Sequence, residues 1–166
     1  PTGAEVDRTA DQSRAQGQGV ALDDVGTTRA DAQAQGVDIG LDGLDITAGS
    51  VSITAASLGT SSDAIETNID TLSLVIGSGG AYVAESNALM LSSALVSGAI
   101  NLSTGGALTV TSATTGSATL TAAGNTSVTA LSASGDVVVT VTGSGNDLSL
   151  GSLRAVSATN VGQSVT

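Results

Sequence analysis

The most informative part of the sequence is residues 81–150, which read AYVAESNALMLSSALVSGAINLSTGGALTVTSATTGSATLTAAGNTSVTALSASGDVVVTVTGSGNDLSL. Apolar residues alternate with small polar residues over short runs, and Gly, Asn or Asp separates one run from the next. Alternation with a period of two, bounded by turn-forming residues, is typical of β-strands that bury one face. This stretch is therefore predicted to consist of short strands joined by tight corners.

The inward positions of these strands recur at a nearly constant interval. One set consists of pairs of apolar positions: Leu89/Leu91, Leu108/Val110, Val128/Ala130 and Leu148/Leu150. A second set, which recurs at nearly the same interval, consists of single positions: Val83, Leu102, Leu120 and Val139. Two sets that keep in phase through four periods predict the coils of a solenoid.

The same alternation continues upstream with a looser interval. Leu72/Leu74 precede Leu89/Leu91 by slightly less than the regular interval, and Val51/Ile53 precede Leu72/Leu74 by slightly more. The segment Ser57–Asp70, between Ile53 and Leu72, is expected to hold an extra loop or a wider corner. Because parallel crossover connections are almost always right-handed, the predicted fold is an all-β, right-handed parallel β-helix with about 19–20 residues per coil.

The composition agrees with a narrow solenoid interior. Gly, Ala, Ser and Thr make up more than half of the chain, which has one Tyr and neither Phe nor Trp. Small and aliphatic side chains fill such an interior at close-packed density, and the backbone ladder needs no large side chain. Asn87, Asn125 and Asn146 recur at related corners, where we expect them to bond the turn backbone rather than a ligand.

The chain divides into two parts on composition. Residues 1–36 are polar, hold three of the four Arg, and show no apolar periodicity. They are interpreted as a linker, a cap or a contact between subunits. Residues 37–166 are interpreted as the β-helix repeat domain.

Residues 59–91 read GTSSDAIETNIDTLSLVIGSGGAYVAESNALML. This segment resembles a repeating unit of the giant bacterial surface adhesins of the filamentous-haemagglutinin type, which are exported by two-partner secretion. The downstream coils also resemble the shafts of that family, whereas Ala64 stands where the family unit often has Pro. The resemblance implies a shaft or spacer module in a secreted or cell-surface fibrous adhesin, with an extracellular or cell-surface location.

The charge balance excludes some partners. Four Arg, no Lys and 15 acidic residues give a net charge of −11. Nucleic-acid binding needs clustered cations that neutralise phosphates, so nucleic acid is not expected as a partner. Membrane insertion is not expected either, because no apolar run approaches the length of a spanning segment. The expected partners are other copies stacked end to end, other repeats of the same chain, or a host or matrix surface.

Parallel β-helices include carbohydrate-active enzymes, which makes catalysis an alternative to a structural role. The chain has no His and no Lys, and Arg154 is its one Arg after residue 36. Tyr82, the one aromatic residue, is expected to be an outward or corner packing residue. We therefore predict that the chain is not an enzyme and has no catalytic or cofactor-binding residue. A self-polymerising extracellular filament subunit is the other alternative.

Calcium is the one metal ion that the sequence suggests, because it prefers carboxylate and carbonyl oxygens. Asp38, Asp42 and Asp45 form one candidate group, and Asp147, which follows Asn146 in the GSGND corner, is another. The competing interpretation of all four is a solvated or corner-capping carboxylate. No further cofactor is expected.

Overall fold

The computed structural model describes residues 30–34 and 46–161, and within these ranges every regular element is a β-strand. The strands are β1 (Ala30–Ala34), β2 (Ile46–Ala55), β3 (Ile65–Ile76), β4 (Ala81–Glu85), β5 (Leu89–Thr104), β6 (Leu108–Val110), β7 (Ala113–Ala122), β8 (Thr126–Ala133), β9 (Val137–Val141), β10 (Leu148–Arg154) and β11 (Ala158–Val161).

All pairings between these strands are parallel, and they join the strands into one sheet that winds into a β-solenoid of about six coils. This confirms the predicted parallel solenoid; its right-handed sense stays a prediction from the preference of parallel crossovers. β1 pairs with β2, with Ala30 opposite Val51. Parallel pairing therefore reaches back to residue 30, inside the polar segment 1–36. Residues 1–29 lie outside the described residues, so the interpretation of this segment as a linker, a cap or a contact between subunits stays a prediction.

The paired segments of each coil fall into three stacks, which we name by their members in β4 and β5. Stack A contains residues 89–91, stack B contains residues 94–96, and stack C contains residues 81–85. The long strand β5 contributes to all three stacks, since its end at residues 100–104 lies above β4 in stack C. The inward side chains of the stacks form one continuous aliphatic core.

Stack C has the register that the sequence predicts. Val83 pairs with Leu102, Leu102 with Leu120, and Leu120 with Val139, and all four are buried. Ile65 extends the column by one coil because it pairs with Val83. Further upstream, the predicted alignment of Val51/Ile53 with Leu72/Leu74 is also confirmed, since Val51 pairs with Leu72 and Ile53 pairs with Leu74.

In stack A, the third predicted pair of inward residues is displaced by two residues from the observed pair; each such pair is called a rung. Leu108 lies opposite Thr126, and Val110 lies opposite Val128, so the rung is Thr126/Val128 and not Val128/Ala130. The next rung, Leu148/Leu150, pairs with that same rung. An apolar pattern misses Thr126 because it is polar, although it is only 2% exposed and its hydroxyl donates to the Gly124 carbonyl.

The register between β3 and β5 also differs from the prediction. Leu72 pairs with Leu91 rather than Leu89, and Leu74 pairs with Ala94. An irregularity between Leu72 and Ser73 shifts the register and adds one residue to the facing strand. The added residue leaves two positions between buried Leu91 and buried Ala94, so the inward side chains of the two strands still pair although the alternation of β5 is interrupted there.

The chain turns between β3 and β4 through residues 77–80, and Gly80 has a φ of 80°. A Cβ at Gly80 would lie 2.6 Å from the Ala99 carbonyl oxygen of the next coil. We therefore expect Gly80→Ala to lower the free energy of unfolding by about 2 kcal/mol or more, because it combines a left-handed φ with a backbone clash.

Gly49→Ala is the matched control for this substitution, measured in the same denaturant titration. Its Cβ would meet nothing closer than the Asp70 side chain at 3.8 Å, and its φ is ordinary for a strand. We expect its stability to equal or slightly exceed that of the parent chain. Equal losses in both variants would show that the corner does not require glycine.

Candidate functional site

The most prominent departure from the regular coil is the loop of residues 56–64, between β2 and β3. Leu58 is fully buried and ties the loop to the next coil: its N–H donates to the Gly80 carbonyl at 3.0 Å, and its carbonyl accepts from Tyr82 N–H at 2.8 Å. Gly59 then takes a φ of 61°. The wider corner predicted within Ser57–Asp70 is confirmed for its first part, while its last part, from Ile65 onward, begins β3.

The tip of this loop is held by its own hydrogen bonds. The N–H of Thr60 donates to the Asp63 carbonyl at 2.7 Å, and the N–H of Asp63 donates back to the Thr60 carbonyl at 3.3 Å. The Thr60 and Ser62 hydroxyls also lie 3.2 Å apart, within hydrogen-bonding distance. These hydrogen bonds hold the loop in place beside the outer surface of stack C, where it forms one wall of a groove.

Between this wall and stack C lies a groove of about 270 Å³, which we call the Tyr82 groove. Its residues include Thr60, Ser61, Tyr82, Asn101, Ser103 and Thr121. The outward positions of β4, β5 and β7 supply its floor, because the alternate positions of those strands are buried in the core. The prediction that Tyr82 faces outward is confirmed, and its side chain is partly buried in this groove.

The floor of the groove is arranged in rows that run from coil to coil. Tyr82 lies opposite Asn101, and Asn101 lies opposite Thr119. A second row places Ser103 opposite Thr121. Paired residues in neighbouring strands lie about 4.8 Å apart, so the groove presents an aromatic ring, an amide and several hydroxyls at regular spacing. These groups stack, donate and accept hydrogen bonds, and none carries a formal charge at neutral pH.

A buried carboxylate lies beneath the corner that follows β4. Glu85 is 3% exposed, and both of its oxygens accept hydrogen bonds. Oε2 accepts from the Thr67 hydroxyl at 2.6 Å and from Ile69 N–H at 3.0 Å. Oε1 accepts from Asn87 N–H at 3.0 Å and from the Ser86 hydroxyl at 3.4 Å. Four donors therefore stabilise the charge that burial would otherwise disfavour.

A pattern of apolar residues does not reveal this role, because Glu85 is polar and the turn-forming residues Ser86 and Asn87 follow it. A usable signal was present: Ala81 and Val83 are inward positions of the same strand, and a period of two places Glu85 on the same side. In the structure Glu85 pairs with Thr67 below and Thr104 above, and both threonines are buried. The three residues form an inward polar column within an aliphatic core.

The corner asparagines behave largely as predicted. The Asn125 side-chain oxygen accepts from Asp147 N–H at 3.0 Å, and the Asn146 amide donates to the carbonyls of Ala123 and Thr142. Asn87 is different, because its amide donates to the side-chain oxygen of Asn68 at 2.6 Å. The prediction of backbone capping is thus confirmed for two of the three asparagines and wrong for Asn87.

Of the four calcium candidates, the structure describes Asp147 and does not describe the other three. Asp38, Asp42 and Asp45 lie outside the described residues. Asp147 is exposed, and its main chain belongs to the corner ladder through Asn125 and Thr126. Within residues 46–157, whose side chains are described, no three acidic, His or Cys side chains gather into a group suited to a metal ion. Calcium binding by these four residues stays a prediction.

The comparisons with known proteins add no relative. The chain matches no family model, and no curated protein or solved structure matches it. In the part of the chain that the structure describes, no helix is long and apolar enough to cross a membrane. The Tyr82 groove and the buried Glu85 carboxylate are therefore interpreted from the chemistry of their own residues.

Proposed function

We propose that the chain is a structural shaft or spacer module of a secreted or cell-surface fibrous adhesin. The observation that carries this proposal is the parallel ladder, which joins the described strands into one sheet with three stacks around one core. Bending such a rod in any direction would stretch the hydrogen bonds of at least one stack. About six coils at about 4.8 Å each span about 30 Å along the axis.

The surface chemistry supports a hydrated shaft. Outward positions are mostly Ser, Thr and other small residues, and among residues 46–157 the large apolar side chains that are exposed are Val75, Met90, Leu95 and Val156. The net charge of −11 adds repulsion between neighbouring shafts. The resemblance of residues 59–91 to the repeats of filamentous-haemagglutinin-type adhesins supports an exported location.

The location is tested on the cells that make the protein. An antibody raised against the purified chain is applied to intact cells and, separately, to permeabilised cells. The proposal predicts that intact cells are labelled and that external protease removes the label. Labelling that requires permeabilisation would contradict a role at the cell surface.

Sedimentation velocity over a hundredfold range of protein concentration separates a spacer from a self-polymerising subunit. A spacer keeps one sedimentation coefficient throughout, because its coils are bonded only within one chain. A filament subunit gives coefficients that increase with concentration. The second outcome would replace the spacer by the filament alternative while leaving the fold unchanged.

A further inference from the structure

We propose that the Tyr82 groove binds an uncharged oligosaccharide. The groups that line the groove match the surface of a sugar ring. A sugar ring presents a face of C–H groups and a rim of hydroxyls, so its recognition needs an apolar surface beside groups that both donate and accept hydrogen bonds. Tyr82 supplies the flat surface, and Thr60, Ser103 and Thr121 supply hydroxyls that act both ways.

The spacing of those groups matches an extended sugar chain. The floor rows follow the solenoid axis, because Tyr82, Asn101 and Thr119 lie on three successive coils. Their repeat of about 4.8 Å is close to the length of one sugar unit in an extended chain. An oligosaccharide that lies along the axis therefore meets a new set of polar groups at each unit, beginning at Tyr82.

The charge of the groove and of the chain favours neutral sugars. The groove residues carry no formal charge, and the chain as a whole has a net charge of −11. A sulfated or uronic-acid glycan would meet repulsion with no cation to offset it, since Arg154 is the one basic residue among those described and lies outside the groove. An amino sugar would find no carboxylate in the lining. The chemistry therefore selects neutral hexoses or pentoses.

One side of the groove is already formed without a ligand. The loop of residues 56–64 is fixed to the solenoid through buried Leu58 and closed by the Thr60–Asp63 hydrogen bonds. Thr60 and Ser61 consequently line the groove together with Tyr82 before any ligand arrives. A preformed wall lowers the entropic cost of binding that a mobile loop would add.

The composition provides a direct probe of this groove. Tyr82 is the only aromatic residue of the chain, so tyrosine fluorescence reports on this one position. We would titrate the protein with cellohexaose, xylohexaose, maltohexaose and mannohexaose at millimolar concentrations. An oligogalacturonate and a chitosan oligomer serve as the anionic and cationic comparisons. The proposal predicts a saturable fluorescence change with at least one neutral hexamer and none with the charged oligomers.

Two variants separate binding in the groove from binding elsewhere. Thr121→Ala keeps the tyrosine reporter and is expected to weaken binding by about threefold to tenfold. Thr109→Ala, at an outward position of stack A, is the matched control with unchanged binding. Tyr82→Ala is followed by amide chemical shifts and is expected to weaken binding about tenfold or more. Circular dichroism checks that each variant remains folded.

The proposal is overturned if no neutral hexamer binds, if a charged oligomer binds in preference, or if Thr121→Ala and Thr109→Ala behave alike. A binding signal that survives Tyr82→Ala would also place the ligand outside this groove. Each of these results leaves the shaft proposal intact, because that proposal depends on the ladder and on cell-surface location rather than on the groove.

Discussion

Replacing Val110 by Asp is expected to lower the free energy of unfolding by on the order of 3–5 kcal/mol, or to prevent folding. Val110 is fully buried in stack A between Leu91 and Val128, where a carboxylate has neither water nor a hydrogen-bond donor to offset its desolvation. Thr109→Asp adds the same charge one position earlier in the chain. Its side chain is exposed, so this control should unfold like the parent chain.

A graded variant keeps this prediction measurable if Val110→Asp does not fold. Val110→Ala removes two methyl groups from the same site and is expected to cost about 2 kcal/mol in a denaturant titration. If Thr109→Asp damaged the protein as much as Val110→Asp does, the assignment of inward and outward faces would be wrong.

The second large effect is expected for Glu85→Gln. The amide keeps the shape of the carboxylate but replaces one acceptor oxygen with an NH₂ group. The Thr67 and Ser86 hydroxyls can rotate to accept from that group, but the backbone N–H of Ile69 or of Asn87 cannot. One buried N–H therefore loses its acceptor, and we expect a loss of about 2–3 kcal/mol in the free energy of unfolding.

Asp136→Asn is the matched control for Glu85→Gln, because it removes the same charge from an exposed corner residue. Chemical denaturation of both variants at one pH and one salt concentration compares them directly. The control should unfold at the parent midpoint. Equal shifts in the two variants would mean that the loss of charge, and not the loss of the acceptor for the N–H of Ile69 or Asn87, determines the effect.

The sequence predicts the fold well because the alternation of apolar residues with small polar residues records which side of each strand is buried. Stack C keeps an unbroken aliphatic column from Val83 to Val139, and its register follows from counting along the chain. Stack A contains buried Thr126, and the coil that leads to it from Leu108 is shorter than the coil that leads from it to Leu148. Counting apolar positions therefore predicts Val128/Ala130 in place of the observed rung Thr126/Val128. The predicted and observed rungs agree again at Leu148/Leu150.

The candidate sites were harder to predict because they depend on contacts between coils. Tyr82 was recognised as outward, but the wall beside it comes from Thr60 and Ser61, which precede it by about one coil. Glu85 was hidden for a similar reason, since the donors Thr67 and Ile69 belong to the previous coil. Spacing along the chain indicates that a coil repeats, whereas small irregularities determine which side chains meet.

The most direct test of the stacked parallel register uses engineered cysteines, since the chain has none of its own. Thr109 lies opposite Ser127, with both side chains exposed, so a Thr109→Cys/Ser127→Cys pair has Cα atoms about 4.8 Å apart and is expected to form a disulfide. Thr129 lies two positions further along β8, at about 8 Å from Thr109, so a Thr109→Cys/Thr129→Cys pair should remain reduced. Mild oxidation of dilute protein, read by mass spectrometry, should therefore cross-link the first pair and leave the second as thiols. Cross-linking of the second pair in place of the first, or of neither, would contradict the register on which the solenoid depends.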